Sequence, residues 1–314
     1  MMAAFLARRI GFGVILIFAV SIVVFVIVAL TPGDAAQVIV GPHATAQQYE
    51  QVRSQLGLDL PLPLQYWNWV SHAVMGNFGT SLVNGQGVLD LLNSRLGVTL
   101  SIIVLSTAVA AIIGVAAGAW SAYRGRTVGR VIDVASMLTF SLPSYWLGLL
   151  LVFVFAVELR LFPAVGYTDF FTSPSGWALS LVLPVATLAI GGAAGVARQT
   201  RDSMLGALNQ EFILAHRAEG VPEITIVFRH ALRNCAAPIL SMVGLFFIGS
   251  LSGTVLIEQV FSMPGLGGLA VSSAAQHDIP VIQGIAVYFA VLVVAVNLVL
   301  DVIFGWLNPR MRAS

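Results

Sequence analysis

The chain has 314 residues, of which 58% are hydrophobic and only 9% charged, where soluble domains carry about 25% charged residues. This composition excludes a soluble globular domain, and a net charge of +1 excludes the broad basic field of a nucleic-acid binder. The single cysteine, Cys235, allows no intrachain disulfide.

Six segments are long and apolar enough to span a bilayer: residues 10–30, 98–120, 131–156, 179–197, 235–256 and 283–307. About 20 residues cross roughly 30 Å of hydrocarbon, where a backbone must satisfy its own hydrogen bonds, so each span is a helix. The expected class is an all-α polytopic membrane protein with six transmembrane helices. Arg8 and Arg9 ahead of the first run resemble a signal peptide. The run itself is too long for that, and reads as a retained helix. Pro143 and Pro184 fall inside spans and predict kinks.

All cations are arginine. With the N-terminus inside, Arg53, Arg95 and Arg160 fall outside and the other twelve inside. The positive-inside rule therefore puts both termini in the cytoplasm.

The chain divides into residues 1–30 (cytoplasmic N-terminus and first helix), 31–97 (an extracytoplasmic loop with short amphipathic helices) and 98–314 (a core of five helices). In the loop, Thr45 and Gln48 form a capping-box pattern. The helix that follows puts Tyr49, Val52 and Leu56 on one face and ends at Gly57. Pro61 and Pro63 interrupt. Tyr66, Trp67, Trp69 and Val70 then form an aromatic stretch suited to the bilayer interface, a reading preferred to substrate binding. Residues 123–130 make a short basic inner turn. The small residues of LAIGGAAGVAR, 188–198, suit close helix packing, and Gly249 with Gly253 has weak GxxxG spacing. Residues 257–283 are too polar and broken to span, and read as a re-entrant or surface-lying segment.

The one long polar stretch of the second half, residues 211–238, reads as helix, glycine turn, helix, and lies inside. The hairpin occupies residues 208–234.

Catalytic chemistry is missing. No ionisable pair sits mid-span. Asp133 and Asp301 lie near inner helix ends, where pairing with arginines is the simpler reading. No histidine lies within a span to activate a serine, no His/Cys cluster has metal spacing, and no GxxxxGK[ST] phosphate loop is present. Any use of ATP belongs to another chain.

The hairpin resembles the cytoplasmic loop of permease subunits of ATP-binding-cassette importers: EAA, three residues, G, nine residues, I-x-L-P. Gly220 holds the glycine position. Leu214, Ala215 and His216 occupy the EAA positions, and His230, Ala231, Leu232 and Arg233 the last four. Only Ala215, Gly220 and Leu232 are kept. AHRAEG (215–220) and RHALRN (229–234), followed by Pro238, are closer to the branch that imports peptides, nickel and glutathione. ARRI (7–10), TPGD (31–34), QLGLDLPLPLQY (55–66), GNFGTSL (76–82), VFSMPGLG (260–267) and NPRMR (308–312) agree in order. Asn308 stands where that branch usually has an aspartate.

The resemblance implies a type I ABC importer permease fold, the first of two homologous permeases, and a bacterial or archaeal cytoplasmic membrane. It implies as partners a homologous second permease, two ATP-binding subunits at the hairpin and an extracytoplasmic substrate-binding protein. The chain itself would be no enzyme and hold no cofactor; ATP and Mg²⁺ would sit on the ATPases. The first hairpin helix, about 208–219, becomes a coupling helix. Phe212 and Ile213 would enter the ATPase cleft and Arg217 would pair with its acidic rim, with Ala215, His216, Gly220, Arg229, His230 and Leu232 completing the contact region. Peptides are the expected cargo, with nickel, glutathione or another small solute as the alternative. A secondary transporter or channel would need inverted repeats or midplane ions, and an intramembrane enzyme convergent polar groups.

Overall fold

The computed structural model describes residues 2–30, 35–41, 44–55 and 57–307. The expectations at residues 31–34, Leu56 and 308–312 lie outside that set. The described chain is helical apart from turns and one isolated bridge, Thr80 to Gly87. Among the described residues five helices are long and apolar enough to cross a membrane, and a bent pair makes a sixth span if counted as one.

The chain forms two compact units. One comprises Ala3–Thr99 and Pro264–Ala295. It opens with α1, Met2–Leu30, and continues with α2, Ala35–Val40, α3, Ala46–Gln55, and α4, Leu62–Val74. The capping box at α3 forms in both directions: Thr45 N–H donates to Gln48 Oε1 at 2.9 Å, and Gln48 N–H to Thr45 Oγ1 at 3.3 Å. Tyr49 and Val52 are half-buried, and Gly57 turns with φ +66°. Pro63 does not interrupt α4. It sits in the first turn, where its missing N–H costs no bond. The aromatic stretch splits by face. Tyr66 packs edge-on against Phe25 of α1 and its hydroxyl bonds Ser21, whereas Trp67 is 66% exposed.

This unit also holds the start of α5, Val88–Arg124, then α13, Leu266–Ala275, and the start of α14, Ile279–Leu307. Val88, Leu92, Leu266, Leu269, Val281 and Ile285 form its core. The segment expected to be re-entrant or surface-lying, 257–283, contains a ten-residue helix, α13, about 15 Å long at 1.5 Å per residue. It is too short to span, and it buries Leu266, Gly267, Leu269 and Ser273. The Asp278 carboxylate, buried at the foot of α14, accepts from Ser81 Oγ and Leu82 N–H. Buried carboxylates persist where donors satisfy them in this way.

The other unit comprises Met1–Met2, Leu100–Met263 and Val296–Ser314. Within it, α5 ends at Arg124, and Gly125 alone, at φ +85°, turns the chain into α6, Arg126–Ser141. Next come α7, Ser144–Leu151, which widens into a π turn over Val152–Glu158, and α8, Pro174–Leu208. The expected kink at Pro143 is a break of 97°. Proline pushes the residue before it out of the helical region, and Leu142 is extended at φ −94°, ψ 125°. Pro184 does not end its helix: α8 continues past it, short of the one backbone bond that proline cannot donate. That helix is the most enclosed of the five unbroken spans, with 61% of its most apolar stretch buried against 28% or less in the other four.

Lipid supplies no hydrophobic drive between spans, so they associate through close packing. A Cβ on Gly118 of α5 would stand 2.7 Å from Thr200 Cβ and collide with the Ala197 carbonyl of α8. Gly192 of α8 makes the same room for Phe246 on α12, Ala236–Val260. At Gly249 a Cβ would meet nothing within 4 Å, so the GxxxG spacing marks no close contact at that residue. Arg201 of α8 grips both oxygens of Asp133 on α6 at 3.0 and 3.1 Å, the arginine pairing expected for Asp133. Gly129 leaves space for that guanidinium.

Candidate functional site: the charged hairpin

The hairpin grows from the end of α8. Asn209 ends that helix, and Gln210, extended at φ −84°, ψ 154°, starts α9, Glu211–Ala218. The expected first helix of 208–219 is therefore shorter, because the chain breaks between Leu208 and Glu211.

Gly220 closes α9 with φ +78°. Val221 N–H donates to the His216 carbonyl and Gly220 N–H to that of Arg217, both at 3.1 Å. This is the Schellman pattern, which satisfies the last carbonyls of a helix and needs a left-handed residue at that position. Pro222, at φ −57°, then caps α10, Glu223–Thr225. A π turn over Ile226–Ala231 and the short α11, Leu232–Asn234, lead to Cys235 and α12.

The two arms are anchored on a dry core. Ile213 from the first arm is 0% exposed, and Ile226, Val227 and Ala231 from the second are equally enclosed. They pack with Met204 and Ala207 of α8, Ala119 and Ala122 of α5, and Ile239 of α12. Burying an isoleucine stabilises by roughly 1.5–3 kcal/mol, so the arms hold their angle to α8. The π turn, whose bonds run i to i+5, sets Ile226 above Ala231 on the buried side.

A bidentate ion pair spans the turn. Arg217 Nε and Nη2 donate to the Glu223 carboxylate at 3.1 and 2.6 Å. The bond from Arg217 holds the Glu223 carboxyl below its usual range, and the same bond raises the guanidinium of Arg217. The rings of His216 and His230 stack at 4.2 Å across the arms, and His216 Nδ1 lies 3.3 Å from Glu219. Phe228 meets Tyr123 of α5 at 6.3 Å, and Arg124 lies over Trp120.

The nominated residues separate by exposure. Ala215, Arg217, Gly220 and Arg229 are exposed, while Phe212, His216, His230 and Leu232 are half-buried. Ile213 is a correction. It fills the hairpin's own core and is unavailable to a partner cleft. The exposed apolar residues are Leu214 at 58%, Ile224 at 54% and Phe228 at 37%. None of the three was among the expected contact residues, although Leu214 stands at the first EAA position. Their one signal is that Leu214 lies 100° around the helix from Ile213, so both cannot face α8. Apolar side chains exposed on a charged hairpin make it the candidate partner surface of the chain. The hairpin has no nucleophile–base pair, and no cluster of three His, Cys, Asp or Glu that could hold a metal occurs among the described residues.

Comparison with known proteins covers nearly the whole chain. Residues 110–313 match the family described as binding-protein-dependent transport system inner membrane component, and residues 2–103 match its N-terminal companion family. A probable peptide ABC transporter permease of Sinorhizobium fredii is 37% identical over 99% of this chain and all of its own length. A glutathione transport system permease of Escherichia coli is 41% identical over 94% of each chain. A putative peptide transport permease of Brucella melitensis is 35% identical over 99% of each. Among solved structures, a chain of the inward-facing MetNI methionine ABC transporter superposes with a TM-score of 0.56 at 18% identity. The match covers 69% of this chain and 96% of that one, a likeness of fold.

Proposed function

Because the chain belongs to the family of binding-protein-dependent transport system inner membrane components, we propose that it is the permease of an ATP-driven importer of small peptides. An ABC transporter permease is a multi-pass membrane subunit and not itself an enzyme; the cargo, partners and orientation are our reading. Two full-length relatives carry peptide names, and the glutathione carried by the third is a tripeptide. A short peptide is the cargo class that accommodates all three names.

The hairpin end of the spans faces the cytoplasm, as do both termini, in the inner membrane. A homologous second permease completes the translocation path, and an extracytoplasmic binding protein delivers cargo. Two ATPase subunits, which bind ATP and Mg²⁺, dock on the hairpins. When the ATPases close on ATP, each hairpin moves with α8 as a lever and the permeases open outward; hydrolysis resets them. The chain converts differential contact with its ATPases into a population shift between two states.

One observation carries this reading. The hairpin is rooted by a buried core, yet turns Leu214 and Ile224 outward. A solvated loop needs neither feature.

The test is uptake into proteoliposomes holding both permeases, the ATPases and the binding protein. Labelled dipeptide is expected to accumulate with ATP. Gly220→Trp or Arg217→Ala is expected to abolish uptake while the complex still assembles. Accumulation of glutathione but no dipeptide assigns the alternative cargo, and full solute-stimulated ATPase in both variants removes the lever.

A further inference from the structure

A cavity of about 600 Å³ lies within the unit built from Ala3–Thr99 and Pro264–Ala295. Phe25, Val28 and Ala29 of α1 form an apolar wall. Arg53 of α3, Asn68 of α4 and Gln283 of α14 bring polar groups to the same space. Gln283 is 5% exposed. Arg53 is half-buried and makes no ion pair with a described residue, and no carboxylate is among the described residues that line the cavity. A partly buried guanidinium with no counter-charge among the described residues is costly, and its planar fork fits phosphate or carboxylate oxygens two at a time.

Depth decides between ligands. The first span is Ala7–Leu30, so the apolar wall occupies its last 8 Å or so at 1.5 Å per residue. There hydrocarbon gives way to headgroups. Exposed Trp67 lies on the neighbouring α4, and tryptophan marks that boundary. The wall continues into Ile22 and Val26 of α1, apolar residues exposed on the helix surface. A small soluble anion would satisfy Arg53 and leave this wall wet.

We propose that the cavity holds one anionic phospholipid. Its phosphate sits on Arg53, its glycerol esters meet the carboxamides of Asn68 and Gln283, and one acyl chain lies along Phe25, Val28 and Ala29. The bound lipid fastens the α3–α4 segment to the outer end of the first span.

The test uses the full chain, purified in dodecyl maltoside and exposed to equal amounts of phosphatidylglycerol and phosphatidylcholine. Lipid adducts are weighed by native mass spectrometry, and circular dichroism checks the helices. Wild type is expected to retain phosphatidylglycerol over phosphatidylcholine. Arg53→Gln lowers that retention roughly tenfold, the factor one charge-assisted hydrogen bond carries, and Arg53→Lys keeps most of it. Ala29→Trp fills the place of the tail, leaves Arg53 intact, and lowers retention as well. It therefore tests the site even if Arg53→Gln fails to fold. Equal retention of the two lipids overturns the proposal, as does retention unchanged in Ala29→Trp. Displacement of the lipid by millimolar glycerol 3-phosphate also overturns it, because the site then takes a soluble anion.

Discussion

Gly220→Ala isolates what the turn of the hairpin demands. A Cβ at Gly220 would meet nothing within 4 Å, so no steric clash arises. The penalty comes from φ +78° alone, a left-handed conformation that costs an L-residue about 1–2 kcal/mol. That energy raises the population of the open turn roughly 5- to 30-fold. The amides to watch are Gly220 N–H and Val221 N–H, which bond the carbonyls of Arg217 and His216. Hydrogen exchange at these two sites should quicken by the same factor in Gly220→Ala. The amides of α8 near Met204 should not change. Asparagine tolerates the left-handed region better than alanine, so Gly220→Asn should fall between wild type and Gly220→Ala. If alanine exchanges like wild type, or asparagine as fast as alanine, the turn is not held by its backbone conformation and the Schellman account is wrong.

Four further outcomes follow from the structure. Ile213→Ala should destabilise the hairpin by about 2–5 kcal/mol through the cavity left in its core, read as faster exchange in both arms. Leu214→Ala should leave exchange unchanged and weaken capture of the ATPases in a pull-down. Arg201→Gln leaves Asp133 without its partner. In a thermal-melt double-mutant cycle, Asp133→Asn and Arg201→Gln should couple by about 1–2 kcal/mol. The Glu223 carboxyl is held below its ordinary value of 4.5 by Arg217. Its contribution to the turn is therefore complete above pH 4.5 and fades as pH falls toward the lowered value. Glu223→Gln should remove that acid sensitivity from the exchange of Val221 N–H.

Hydropathy made the spans legible because the bilayer punishes every unsatisfied backbone group, and that constraint is written into long apolar runs. Local chemistry was equally readable. Thr45 with Gln48 closed their box, and Gly220 took its left-handed turn, because both depend on a few neighbouring residues. What escaped depends on distant partners. Ile213 and Leu214 are alike as letters, and only the placement of Met204, Ala207 and Ile239 decides which one is buried. Pro143 announced a disturbance, but nothing local distinguishes a kink from a break of 97°. Tyr66 and Trp67 looked equivalent until α1 supplied Phe25 and Ser21 on one side of α4. The cavity beside Arg53 had no sequence signature, since its walls come from four separate helices.

The central claim is that separate ATPases drive this chain through the exposed face of its hairpin. The most direct measurement compares ATP-dependent uptake of labelled dipeptide in three proteoliposome preparations. They are the full complex, the complex with Leu214→Asp in this chain, and this chain alone. The account predicts accumulation only in the first, with the Leu214→Asp chain inserted and its hairpin exchange normal. Uptake by this chain alone, or undiminished uptake with Leu214→Asp, would contradict it.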